Sequence, residues 1–136
     1  MKEIETEKML TGRLHQARTA LDDAKFLIAG RRSPQSIVNR SYYAMFYAAV
    51  ALLETIGKIP SKHAGVISLF DSEFIRSDRL PKALSRDFHR AFELRQLSDY
   101  RMLEPCSPEK ATQAYERAVR FVDAVAGYIA SEFGSE

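Results

Sequence analysis

The sequence predicts an all-α protein, an up-and-down bundle of about five helices. Three observations carry this. Apolar residues recur at three- and four-residue steps through most of the 136 residues, the spacing of one face of an α-helix. All five prolines, Pro34, Pro60, Pro81, Pro105 and Pro108, fall between those runs, where a ring without an N–H does no harm. No segment alternates apolar and polar residues with the two-residue period of a strand. Helices joined by short connections pack as a bundle.

Each element follows in order. Leu10, Leu14, Ala17, Leu21, Ala24 and Ile28 form the apolar stripe of a first helix that Gly30 ends. Ser33-Pro34 then supplies an N-cap and a proline at the first helical position. The second helix, "QSIVNRSYYAMFYAAVALLETIG", is apolar almost all round. Only a narrow side carries Asn39, Arg40, Tyr43, Tyr47 and Glu54. A helix so poor in solvent-facing residues belongs at the centre of the bundle. A third helix opens at Pro60-Ser61, turns Val66, Ile67, Phe70 and Phe74 inward, and breaks at "RSDRLP". The fourth places Leu84, Phe88, Ala91, Phe92 and Met102 on one face. Pro105-Cys106-Ser107-Pro108 stops it and caps the last helix, whose buried face is Ala111, Tyr115, Ala118, Val122, Val125 and Ile129.

A chain of this length is read as one domain over residues 1–136, with its core at about 7–130. Its 46% hydrophobic and 28% charged residues are ordinary for a soluble globular protein. A net charge of +2 permits an anionic partner without demanding one. Cys106 is the only cysteine, so neither an internal disulfide nor a thiolate metal cage is expected. The charged start "MKEIETEKML" lacks the apolar core of a signal peptide, and no apolar run has the length of a membrane span. The expected location is the cytoplasm.

The common catalytic signatures are missing: no glycine-rich phosphate loop, no G-x-S-x-G, no H-E-x-x-H. His15, His63 and His89 fall on three different predicted helices without ligand spacing and read as surface or boundary residues. No cofactor or metal is implied, and nothing marks Cys106 as a nucleophile.

Two constellations remain. Arg95 stands in the middle of the apolar face of the fourth helix, with Asp99 one turn later. Either the two form an ion pair that closes a polar gap in the core, or Arg95 lines a cleft and grips a phosphate with its planar fork. The second constellation is Asn39, Arg40, Tyr43 and Tyr47. These are amphipathic packing residues, or one wall of a nucleotide or RNA groove with ring faces for bases. The opposite side of the fourth helix adds Leu94, Leu97 and Tyr100 beside Arg86 and Arg90. Apolar residues on a solvent side predict a two-fold homodimer contact.

The segments "NRSYYAMFYAAVALLETIG", "SKHAGVISLFDSEFI" and "LPKALSRDFHRAFELRQLSDYRML" resemble the HEPN domain, in its small stand-alone prokaryotic branch. The resemblance implies a four- or five-helix up-and-down bundle that forms homodimers. It also implies a toxin–antitoxin pairing with a minimal nucleotidyltransferase and, in many members, metal-independent ribonuclease activity. The nuclease motif is an arginine followed four to six residues later by histidine, with both subunits contributing to one cleft. Arg95 matches the arginine, but Tyr100 occupies the histidine position. An imidazole exchanges protons near neutral pH, whereas a phenol titrates near 10. The resemblance therefore favours a HEPN partner of a nucleotidyltransferase that binds nucleotide or RNA at a dimer cleft. Cleavage by Arg95 and Tyr100 is the alternative, and a purely structural helical dimer is a third reading. Asn39, Arg40, Tyr43, Tyr47 and Asp99 are the expected binding residues.

Overall fold

The computed structural model describes residues 2–58, 60–100 and 106–133, and the side chains of 11–58, 60–97 and 106–133. Five α-helices follow one another: α1 (Lys2–Ala29), α2 (Pro34–Glu54), α3 (His63–Phe70), α4 (Lys82–Tyr100) and α5 (Pro108–Phe133). A π-helical turn, Asp71–Ile75, extends α3. Among the described residues there is no strand, and the all-α bundle is as the spacing predicts.

Local chemistry sets the boundaries. Ser33 is the N-cap of α2, its Oγ accepting from the Ser36 N–H at 3.1 Å, and Pro34 fills the first turn. Ser107 caps α5 in the same way, accepting from the Lys110 N–H at 3.2 Å. α1 begins earlier than its apolar stripe, at Lys2, because Glu and Lys propagate a helix well without an apolar face. The third helix starts at His63, two residues after the expected Ser61. It closes through the π turn, where the Arg76 N–H bonds the Asp71 carbonyl at 2.9 Å. Phe70, Phe74 and Ile75 all remain buried.

The end of α1 departs from the sequence reading. Gly30 stops the helix, but the left-handed residue is Arg31, at φ 53°. The Arg32 N–H reaches the Leu27 carbonyl at 2.9 Å and the Arg31 N–H reaches Ile28 at 3.0 Å. This is a Schellman closure with arginine where glycine is favoured. Gly57 makes the corresponding turn after α2 at φ 72°.

α2 is the central helix and touches each of the other four. Thirteen of its residues are buried, which is why its sequence is apolar nearly all round. Phe70, Phe88 and Phe121, from α3, α4 and α5, meet in the middle with ring centres 5.0 to 5.6 Å apart. Burying each such side chain contributes about 1.5–3 kcal/mol. A smaller cluster, Ile37, Val38, Ala111 and Ala114, closes the other end and receives Leu94.

Two expectations are corrected here. Glu54 does not share the open polar side of α2. It is buried against α1, where its Oε2 accepts from Arg13 Nε at 3.3 Å. Leu94 is not solvent-facing, because the small side chains of Ala111 and Ala114 let α5 approach and half-bury it. Leu97 does stand exposed, as do Arg86 and Arg90. Among the described residues no helix is long and apolar enough to cross a membrane.

Candidate functional site

Three elements build the site. α2 runs with Tyr42 turned into the core and Tyr43 beside it at the rim, one buried and one half-buried. α3 opens with His63 against this pair, and α4 brings Arg95 across from the other side.

Tyr42 has no exposed surface, yet its hydroxyl needs a partner in the interior. It finds His63 Nδ1 at 3.0 Å. The same nitrogen faces Arg95 Nη1 at a longer 3.4 Å. A guanidinium can only donate, so Nδ1 must carry the lone pair. Donor chemistry thus assigns the imidazole proton to Nε2 and leaves the ring neutral. Burial first, and the Arg95 cation second, hold the His63 pKa below its ordinary value of 6.5. Burial likewise pushes the Tyr42 hydroxyl up, an effect that the Arg95 charge opposes. His63 is further fixed by the Phe46 ring, 4.2 Å between centres, and by the edge of Tyr43 at 5.7 Å.

Arg95 lies over two rings, with Cζ 5.2 Å from the Tyr42 centre and 5.3 Å from the Tyr43 centre. Each such contact is worth about 0.5–2 kcal/mol, more where water is excluded. Arg40 reaches the same Tyr43 ring at 5.2 Å and is held by Asn39 Oδ1, which accepts from Nη2 at 3.1 Å and Nε at 3.3 Å. Tyr47 is next along the helix, its ring 5.9 Å from Tyr43. Two guanidinium groups from different helices therefore lie against one tyrosine ring, and the positive charge gathered there suits an anion.

The structure thus brings Asn39, Arg40, Tyr43, Tyr47 and Arg95 into one surface region. The side chains of Asp99 and Tyr100 lie outside the described residues; only their backbone, in the last turn of α4, is placed. The sequence reading missed Tyr42 and His63. It read His63 as a surface or boundary residue, and the ring is half-buried, but the reading did not foresee that it joins the Arg95 site. In the sequence His63 is marked only by its place just after the Pro60 turn. Spacing alone could not show that α2 and α3 meet. His15 is exposed, and His89 pairs with Asp71 at 2.6 Å. Among the described residues no group of three His, Cys, Asp or Glu side chains could hold a metal ion. Burial raises the pKa of the Cys106 thiol, which opposes thiolate formation.

The HEPN domain model matches residues 11–128. This chain belongs to the HEPN family. The match embraces α2 to α4 and every described residue of the site. Among relatives of this HEPN chain is a "UPF0332 protein" of Thermotoga maritima. It is 39% identical over 121 residues, covering 89% of this chain and 91% of the relative. Two relatives from Methanocaldococcus jannaschii are each 34% identical. One, named "Putative toxin MJ0605", aligns with 77% of either chain. The other, named "Putative toxin MJ0142", aligns with 70% of this chain and 65% of its own length.

Proposed function

We propose that this HEPN protein is the toxin-side component of a toxin–antitoxin pair with a minimal nucleotidyltransferase. In this reading it acts in the cytoplasm as a homodimer and binds RNA or nucleotide through Arg40, Tyr43, Tyr47 and Arg95. The observation that carries the reading is the placement of two guanidinium carbons just over 5 Å from the centre of one tyrosine ring. A phosphate oxygen answers the guanidinium edges, and a base answers the ring faces of Tyr43 and Tyr47. Asn39 holds Arg40 in place. The exposed Leu97 on the outer side of α4 fits a two-fold contact that would bring the two Arg95 regions near each other. Asp99 and Tyr100, at the end of α4, would border that cleft.

A second reading, metal-independent RNA cleavage, is favoured by His63. α4 lacks the motif histidine, but α3 delivers an imidazole 3.4 Å from Arg95. Incubating a mixed RNA pool with the wild type in EDTA separates the two. Retention of intact RNA is the expected result, and fragments would support cleavage. Tyr100→His restores the Arg-x4-His spacing and should create or strengthen cleavage. Failure to retain any RNA, together with no cleavage, would reject both readings.

A further inference from the structure

The sequence reading assigned His63 no role, and the family motif sought its histidine on α4. The geometry gives it one. His63 Nδ1 is bracketed by two donors, the Tyr42 hydroxyl at 3.0 Å and Arg95 Nη1 at 3.4 Å. Its ring is fixed in plane by Phe46 and in angle by Tyr43. An acceptor so held defines where one edge of the Arg95 guanidinium points.

We infer that His63 is the positioning residue of the Arg95 anion site in the free protein, and that an anion bound there turns the Arg95 guanidinium from Nδ1 to itself while a proton takes up the vacated Nδ1. The inference rests on the reading that Arg95 receives an anion. In the free protein the neighbouring guanidinium opposes a second positive charge on the ring. A bound phosphate diester brings one negative charge, which offsets that cation beside the imidazole. Protonation of the ring is then less opposed than in the free protein, with burial still acting against it. By linkage, a ligand that raises proton affinity binds more tightly as protons become abundant.

The groups facing His63 agree with this sign. Among the described residues they are Tyr42 and Tyr43 from α2 and Arg95 from α4, with exposed Lys62 preceding it in the chain. Of these, the Arg95 guanidinium puts a charge 3.4 Å from Nδ1, and it dominates the electrostatics of the ring. Asp99, one turn beyond Arg95, has its side chain outside the described residues.

The probe is a deoxydinucleotide with a single phosphodiester. It does not titrate between pH 5 and 8, and it has no 2′-hydroxyl through which to be cleaved. Its affinity for the wild type should rise at least about threefold from pH 7.5 to pH 5.5, with calorimetry in two buffers showing net proton uptake. His63→Asn keeps an acceptor near the Nδ1 position but cannot titrate. It should hold the affinity seen at pH 7.5 and lose both the pH slope and the proton uptake. His63→Leu removes the acceptor and should weaken binding at every pH. Equal slopes in the wild type and His63→Asn would overturn the inference while leaving the Arg95 site standing. No diester binding by the wild type at any pH would overturn both. If the variants fail to fold, the His63 imidazole is titrated by NMR in the wild type. Its pKa should rise on saturation with the diester, and no movement overturns the inference.

Discussion

Arg95 and His63, 32 residues apart on different helices, meet with 3.4 Å between Nη1 and Nδ1. The contact places a permanent cation beside a titratable ring that must stay neutral to accept from it. Tyr42 shares the same nitrogen, so the fully buried tyrosine and the half-buried arginine both depend on one lone pair.

Stability should respond to pH through this ring. The folded pKa of His63 lies below the 6.5 of an ordinary histidine, through burial first and Arg95 second. Between those two values the unfolded chain binds more protons than the folded one. The neutral ring's contribution is therefore complete above about pH 6.5, declines as pH falls through 6.5 towards the folded value, and then levels off. Denaturant titrations at half-unit steps from pH 8 to pH 5 should show this decline in the wild type and a shallower one in His63→Asn. Identical curves would mean that the ring does not report folding.

The turn after α1 gives a second prediction. Arg31 adopts φ 53°, while a Cβ added at Gly30 would meet nothing closer than the Phe26 carbonyl at 3.4 Å. Arg31→Gly should stabilise the fold by roughly 0.5–1 kcal/mol, since the left-handed region penalises a Cβ. Gly30→Ala should be tolerated, with a change of less than about 0.5 kcal/mol by thermal melting. Had Gly30 been the left-handed residue, the two substitutions would behave in the opposite way.

That turn also shows how far the sequence was legible. Helix existence followed from spacing, and the Ser33-Pro34 cap from side-chain chemistry, because both are local. The identity of the left-handed residue was not legible, because Gly30 and its neighbour Arg31 both lie at the helix end and only the closing hydrogen bonds choose between them. Arg95 declared itself as a charge in an apolar stripe. Tyr42 and His63 did not, since one looked like core and the other like rim. Their pairing is a tertiary fact, made when α3 folds back onto α2. Glu54 was misplaced for a related reason. Helical angle grouped it with Tyr43 and Tyr47, but α1 covers that end of α2 and supplies Arg13 as its partner.

The outer side of α4 yields a third prediction. Leu97 is 50% exposed, and the proposed two-fold contact would cover this apolar side chain with a second copy of the chain. The wild type should scatter light as a dimer at micromolar concentration. Leu97→Glu should shift it to monomer with little loss of melting temperature, because the side chain contributes little to the core. A wild-type monomer would remove the dimer from the account.

The most direct test of the central claim is the salt dependence of RNA binding by the wild type and Arg95→Met. Methionine is an apolar replacement of similar length that avoids the cost of desolvating a cation, so the melting temperature should stay near that of the wild type. If Arg95 grips a phosphate, affinity for a short single-stranded RNA should fall about tenfold or more. The slope of log affinity against log salt should become shallower by about 0.7, the release expected for one phosphate contact on a single strand. A folded Arg95→Met protein with the affinity and slope of the wild type would contradict the account.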